Sequence, residues 1–296
     1  MKSCIFTGSC VALVTPMNRD HTINLDVLDE LIDFQLTGGT DAILVCGTSG
    51  EAPTLNQTEH MAVIHRTVKK VAGRVPVIAG TGSNDTRHAI EQSQQAEALG
   101  ADALLLVTPY YNKTSQAGLI EHFTAIAQNV SLPVILYNVP SRTGVNIQPE
   151  TYAALSGVPN IVGIKEANGN LTAASATKRL CGDELALYSG NDAETLPILS
   201  LGGKGVISVL ANIMPAEMHE LCRLFLAGET QAAIALQMKL DEMMGALFED
   251  VNPMPVKWAL ESMGYTVGCC RGPLVLPNAS CRAHLKKLLY EFEMIK

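Results

Sequence analysis

Lys165 stands at the end of a short apolar run, Asn160-Ile-Val-Gly-Ile-Lys-Glu-Ala-Asn168, that otherwise reads as a buried β-strand. An amine drawn into an apolar interior loses hydration, which favours its neutral form, and a neutral amine can attack a ketone to form an imine. The same segment also reads as a strand-end lysine whose methylenes pack while its charge reaches solvent. Three further stretches carry groups that such chemistry would use. Gly47-Thr-Ser-Gly-Glu51 offers unobstructed backbone N–H groups and two hydroxyls, Thr48 and Ser49, a cradle for a small carboxylate or simply a tight turn. Pro109-Tyr-Tyr-Asn112 and Tyr137-Asn-Val-Pro-Ser-Arg-Thr-Gly144 supply the phenols of Tyr111 and Tyr137, which could relay protons during carbinolamine dehydration or serve as packed aromatics. Arg142 is a fork suited to the carboxylate of a second substrate, with a solvated surface arginine as the alternative.

The elements that must position these groups are legible as an alternation. Short aliphatic or β-branched runs fall at 11–15, 42–46, 76–80, 103–108, 133–138, 161–165, 186–189 and 206–209, with helical patterns between them. Eight βα units point to a (β/α)8 TIM barrel rather than an open doubly wound sheet, and they put the singled-out residues where barrel strands end and βα loops begin. Leu119, Ile120, Phe123, Ile126, Ala127 and Val130 give one helix its apolar stripe. Gly39-Thr-Asp-Ala42 and Gly100-Ala-Asp-Ala103 repeat the same helix-to-strand turn. Beyond Asn212 the alternation stops, and helices are expected at about 215–227, 230–248, 253–263 and 280–294. Asn252-Pro-Met-Pro255 and Gly272-Pro-Leu-Val-Leu-Pro277 read as breaks between them. The expected organisation is a barrel over 1–227 with a C-terminal helical appendage over 228–296.

Composition narrows the partners. A chain of 296 residues that is 47% hydrophobic and carries a net charge of −8 has a large core and no basic face for nucleic acid or an anionic membrane. A small-molecule substrate is the expectation. The first apolar run, 10–14, is too short for a signal peptide or a membrane span, so a cytoplasmic location is expected. The eight cysteines form no Cys-x-x-Cys pair and the seven histidines show no His-Glu-x-x-His spacing, so neither a zinc site nor a disulfide framework is indicated. Gly80-Thr-Gly-Ser-Asn84 lacks a dinucleotide fingerprint and Leu201-Gly-Gly-Lys-Gly205 lacks the Walker spacing; no cofactor is implied.

Taken together and in order, Gly47-Thr-Ser-Gly-Glu51, Tyr110-Tyr111-Asn112, Tyr137-Asn-Val-Pro-Ser-Arg-Thr-Gly144, Gly163-Ile-Lys-Glu166 and Asn252-Pro-Met-Pro-Val-Lys257 resemble the 4-hydroxy-tetrahydrodipicolinate synthase (dihydrodipicolinate synthase) family. The resemblance implies a class I pyruvate aldolase barrel that condenses pyruvate with L-aspartate 4-semialdehyde in lysine biosynthesis, without metal or organic cofactor. It implies that Lys165 carries the pyruvate imine and that Thr48, Tyr137 and Tyr111 relay protons, Tyr111 reaching into a neighbouring subunit's site. It further implies that Ser49 and nearby amides hold the pyruvate carboxylate, that Arg142 holds the aldehyde's carboxylate, that Ile207 lines the site, and that the assembly is a homotetramer built as a dimer of dimers. Ser49 departs from the family's usual threonine but keeps the hydroxyl. In the family's lysine-feedback pocket His60, Asn84 and Tyr110 match, whereas His88 stands where lysine-sensitive members carry a glutamate, and Ala52, Pro53 and Gln57 also differ. Weak or absent inhibition by L-lysine is therefore expected. N-acetylneuraminate lyase or a 2-keto-3-deoxy sugar acid aldolase would share the imine lysine, and Arg142 is the residue that favours a carboxylate-bearing aldehyde over a sugar. A catalytically silent barrel kept as a scaffold is the reading of a different class.

Overall fold

The computed structural model describes Lys2 and residues 4–296. Eight parallel strands close into a barrel: β1 (Gly8–Ala12), β2 (Ala42–Val45), β3 (Val77–Gly80), β4 (Ala103–Val107), β5 (Val134–Asn138), β6 (Ile161–Glu166), β7 (Ala186–Ser189) and β8 (Gly205–Ser208). Each strand pairs with the next, and β8 closes on β1 through Gly8 opposite Gly205 and Cys10 opposite Ile207. Helices α1 (Leu25–Thr37), α2 (Gln57–Val71), α3 (Thr86–Ala98), α4 (Gln116–Ala127), the single turn α5 (Pro140–Thr143), α6 (Pro149–Leu155), α7 (Leu171–Cys181), α8 (Thr195–Ser200) and α9 (Pro215–Leu226) return the chain between strands and after β8. Three more follow: α10 (Thr230–Ala246), α11 (Met254–Ser262) and α12 (Ala279–Glu291). The expected (β/α)8 barrel with trailing C-terminal helices is the architecture observed.

Two apolar layers hold it. Cys10, Ala12, Leu44, Ile78, Leu105, Ile135, Tyr188 and Ile207 fill the barrel interior. A larger cluster lies between sheet and helices, and Leu240, Met243, Leu260, Leu285 and Leu289 of the C-terminal helices belong to it. The barrel is thus packed solid below its carboxyl-terminal end, which leaves that end as the place for chemistry. The helices start where the sequence offers side-chain acceptors. Asn24, Asn56, Asp85, Ser115, Asn170 and Asn278 each cap a first turn, Asn56 in a reciprocal capping box with Glu59.

The first strand departs from its expected position. The apolar run 11–15 suggested it, but the ladder runs from Gly8 to Ala12. Leu13 still donates to Leu44 O, yet the Val14 amide is taken by the Asn212 side chain and Thr15 Oγ1 turns to Gly50 O, so the chain has left the sheet. At the other end Gly8 is recruited because nothing larger fits: its φ is +116° and a Cβ there would lie 2.1 Å from Asp41 Oδ2.

Candidate active site

The side chains that the sequence singled out, Tyr111 excepted, gather toward the carboxyl-terminal end of the barrel. Alternation along β6 sends Lys165 inward and Glu166 outward. Lys165 is 4% exposed, and the β5–β6 register sets it directly opposite Tyr137. Its Nζ lies 4.4 Å from the centroid of the Tyr137 ring, and among the described residues it makes no hydrogen bond or ion pair. The amine is thus held against an aromatic face without a hydrogen-bonding partner among the described residues. Ile207, on β8, is fully buried in the same interior layer.

Tyr137 also lines a cavity of about 500 Å³. Thr48, Tyr137, Arg142, Tyr110, His60 and His88 all line it. Ser49 lies just beneath, buried, its Oγ accepting from Asn252 Nδ2 at 3.1 Å. Arg142 sits on the α5 turn, which Thr108 fixes through a 2.9 Å bond to Thr143 Oγ1, and its Nη2 donates to Asn252 O. Tyr111 is not brought in. It is 93% exposed, with its backbone at φ +67°, and its ring stands away from the protomer's own cavity. A tyrosine fixed in the left-handed region and turned outward is strained for no gain within one protomer.

Of the residues matched to an effector pocket, His60, His88 and Tyr110 line the same cavity, and Asn84 lies outside its lining. His60 is buried and donates Nε2–H to Gly80 O at 2.8 Å, which leaves Nδ1 without a partner among the described residues; burial is the main force holding its pKa below the usual histidine value. His88 is exposed on α3, and its ring nitrogen accepts from Gln92 Nε2. Asn84 is held by its carbonyl, which accepts from Asn112 Nδ2 at 2.9 Å.

Three groups beside the site escaped the sequence reading. Glu166 points into the layer outside the barrel, where Asn138 Nδ2, Tyr152 Oη and the Asn168 amide all donate to it. Burial nevertheless pushes its carboxyl up to about 7, the three donors opposing the shift. Asp192, just beyond β7, accepts from the Val209 and Leu210 amides; burial raises its pKa, opposed by its hydrogen bonds and by the nearby charge of Lys165. Asn252, which the sequence marks only as part of a break, bonds both Ser49 and Arg142. An asparagine followed by Pro-Met-Pro signals a turn, and nothing in that pattern says what the asparagine's amide reaches.

A model of the dihydrodipicolinate synthetase family matches residues 5–292. The 4-hydroxy-tetrahydrodipicolinate synthase of Caldicellulosiruptor saccharolyticus is 53% identical over 288 residues, which are 97% of each chain. That of Thermoanaerobacter sp. (strain X514) is 50% identical over 293 residues, 99% of this chain and 98% of the relative. Among solved structures, the chloride-inhibited dihydrodipicolinate synthase of Acinetobacter baumannii complexed with pyruvate superposes with a TM-score of 0.96 at 44% identity, covering 99% of this chain and all of that one.

Proposed function

The chain belongs to the dihydrodipicolinate synthetase family, and we propose from that premise that it condenses pyruvate with L-aspartate 4-semialdehyde, giving 4-hydroxy-tetrahydrodipicolinate for lysine biosynthesis. The observation that carries the reading is Lys165, buried without a hydrogen-bond or ion-pair partner among the described residues and held against the ring of Tyr137, which itself lines the cavity bearing Thr48 and Arg142.

Lys165 Nζ attacks the pyruvate ketone, and the carbinolamine loses water to give an imine. The imine withdraws electrons from the adjacent methyl, which loses a proton; the resulting enamine carbon attacks the semialdehyde's carbonyl. Proton transfers in these steps need hydroxyls within hydrogen-bond reach, a role we assign to Tyr137 and Thr48 together with Tyr111 from a second protomer. The exposure and outward fix of Tyr111 support that last assignment. Ser49 and the amides of its glycine-flanked turn hold the pyruvate carboxylate, Ile207 closes the floor, and Arg142 holds the carboxylate of the semialdehyde. The reading carries with it a cytoplasmic homotetramer, a dimer of dimers. In the presumed effector pocket, His60, Asn84 and Tyr110 present no carboxylate to an incoming ammonium, and His88 replaces the one that lysine-sensitive relatives use. Half-maximal inhibition should therefore require more than millimolar L-lysine.

The test offers purified protein pyruvate with L-aspartate 4-semialdehyde, N-acetylmannosamine or glyceraldehyde in separate assays of pyruvate consumption. Strong preference for the semialdehyde is expected. Preference for either sugar aldehyde would move the chain to a neighbouring aldolase activity and remove the role given to Arg142.

A further inference from the structure

We propose that Lys257, far in sequence from Thr48 and Ser49 and outside the cavity's lining, is a positioning residue for the pyruvate cradle, through the buried ion pair it makes with Glu51. Lys257 lies on the first turn of α11, and its Nζ donates to three acceptors: Glu51 Oε1 at 2.8 Å, Thr15 O at 3.1 Å and Cys269 O at 3.1 Å. An ammonium has three protons, so all are used. The two side chains are only 2% and 1% exposed.

What they hold is the turn that follows β2. Glu51 ends Gly47-Thr-Ser-Gly-Glu51 with φ +55°, a left-handed conformation that a glutamate adopts only where its surroundings enforce it. Its second oxygen accepts from the Arg271 amide at 2.8 Å, so both carboxylate oxygens are anchored to the C-terminal segment. One residue back, Gly50 O is held by Thr15 Oγ1, and Thr15 is itself the second acceptor of Lys257. Asn252, on the same segment, adds the bond to Ser49 Oγ. Residues 252–271 therefore clamp the turn carrying Thr48 and Ser49 from behind, and the C-terminal helices become part of what shapes the site.

Without Lys257 the Glu51 carboxylate would stay buried and uncompensated, and the turn would have to open to hydrate it. Displacing the cradle by a fraction of an ångström weakens pyruvate binding before it weakens any later step.

The inference rests on the roles proposed above for Thr48 and Ser49, and its test separates the two. Imine formation is followed by borohydride trapping against pyruvate concentration, with thermal stability measured alongside, for wild type, Lys257→Met, the isosteric Glu51→Gln and the double variant Glu51→Gln/Lys257→Met. Each single variant should raise the pyruvate half-saturation about tenfold or more. The double variant removes both buried charges, so its stability should recover relative to Lys257→Met while its pyruvate half-saturation stays raised. Glu51→Gln keeps the test available if Lys257→Met does not fold. Pyruvate responses like wild type in the folded single variants, or restored in the double variant, would overturn the positioning role. A wild type that traps no imine would instead overturn the function on which it rests.

Discussion

Glu166 is a side chain beside the site whose charge the fold works against. Its carboxyl is pushed from 4.5 to about 7 by burial. Between those values the native state keeps a proton that the unfolded chain has released, so stability falls as pH rises from about 4.5 to about 7 and is flat above. The loss is about 3 kcal/mol, an order of magnitude taken from the shift. Glu166→Gln should remove that slope from the pH dependence of unfolding, even though an amide suits three converging donors poorly and lowers stability at acidic pH. An unchanged slope would mean that the carboxylate is not held as described. Lys165 itself was legible from the sequence, because one cation ending an apolar strand conflicts with its surroundings. Glu166 was not, since its neighbours Asn138 and Tyr152 come from β5 and α6 and only the closed barrel brings them to it.

At the scale of elements, eight strands separated by amphipathic returns were readable because each strand contains or borders a short apolar run. Position along a run was less readable. Apolar character marks burial, and 13–15 stay buried after leaving the sheet, while Gly8 pairs in it without any apolar signal. The pairing of Gly8 with Gly205 closes the barrel, and a Cβ on Gly205 would stand 1.9 Å from Gly8 O. Gly205→Ala should therefore force β1 and β8 apart and cost about 3 kcal/mol or more of stability, measured by denaturant unfolding. A loss below about 0.5 kcal/mol, the size of an ordinary surface change, would show that the seam can yield.

For the whole molecule, a single protomer leaves Tyr111 in solvent at the edge of a site that otherwise converges. Leu171, Ile234 and Met238, on α7 and α10, are also exposed. The outward Tyr111 was expected only through the family resemblance, and the exposed helix residues were not expected at all, since apolar residues on a helix look alike whether they face core, solvent or another copy. Sedimentation of the 31.6 kDa chain should give a tetramer, and an active monomer would contradict the role assigned to Tyr111. The covalent imine is the centre of the account, and trapping it is the measurement that bears on it most directly. Protein incubated with pyruvate and borohydride should gain the mass of one reduced pyruvate adduct per chain, carried on the peptide that contains Lys165 and absent from Lys165→Ala. No mass gain, or a gain on another peptide, would contradict it.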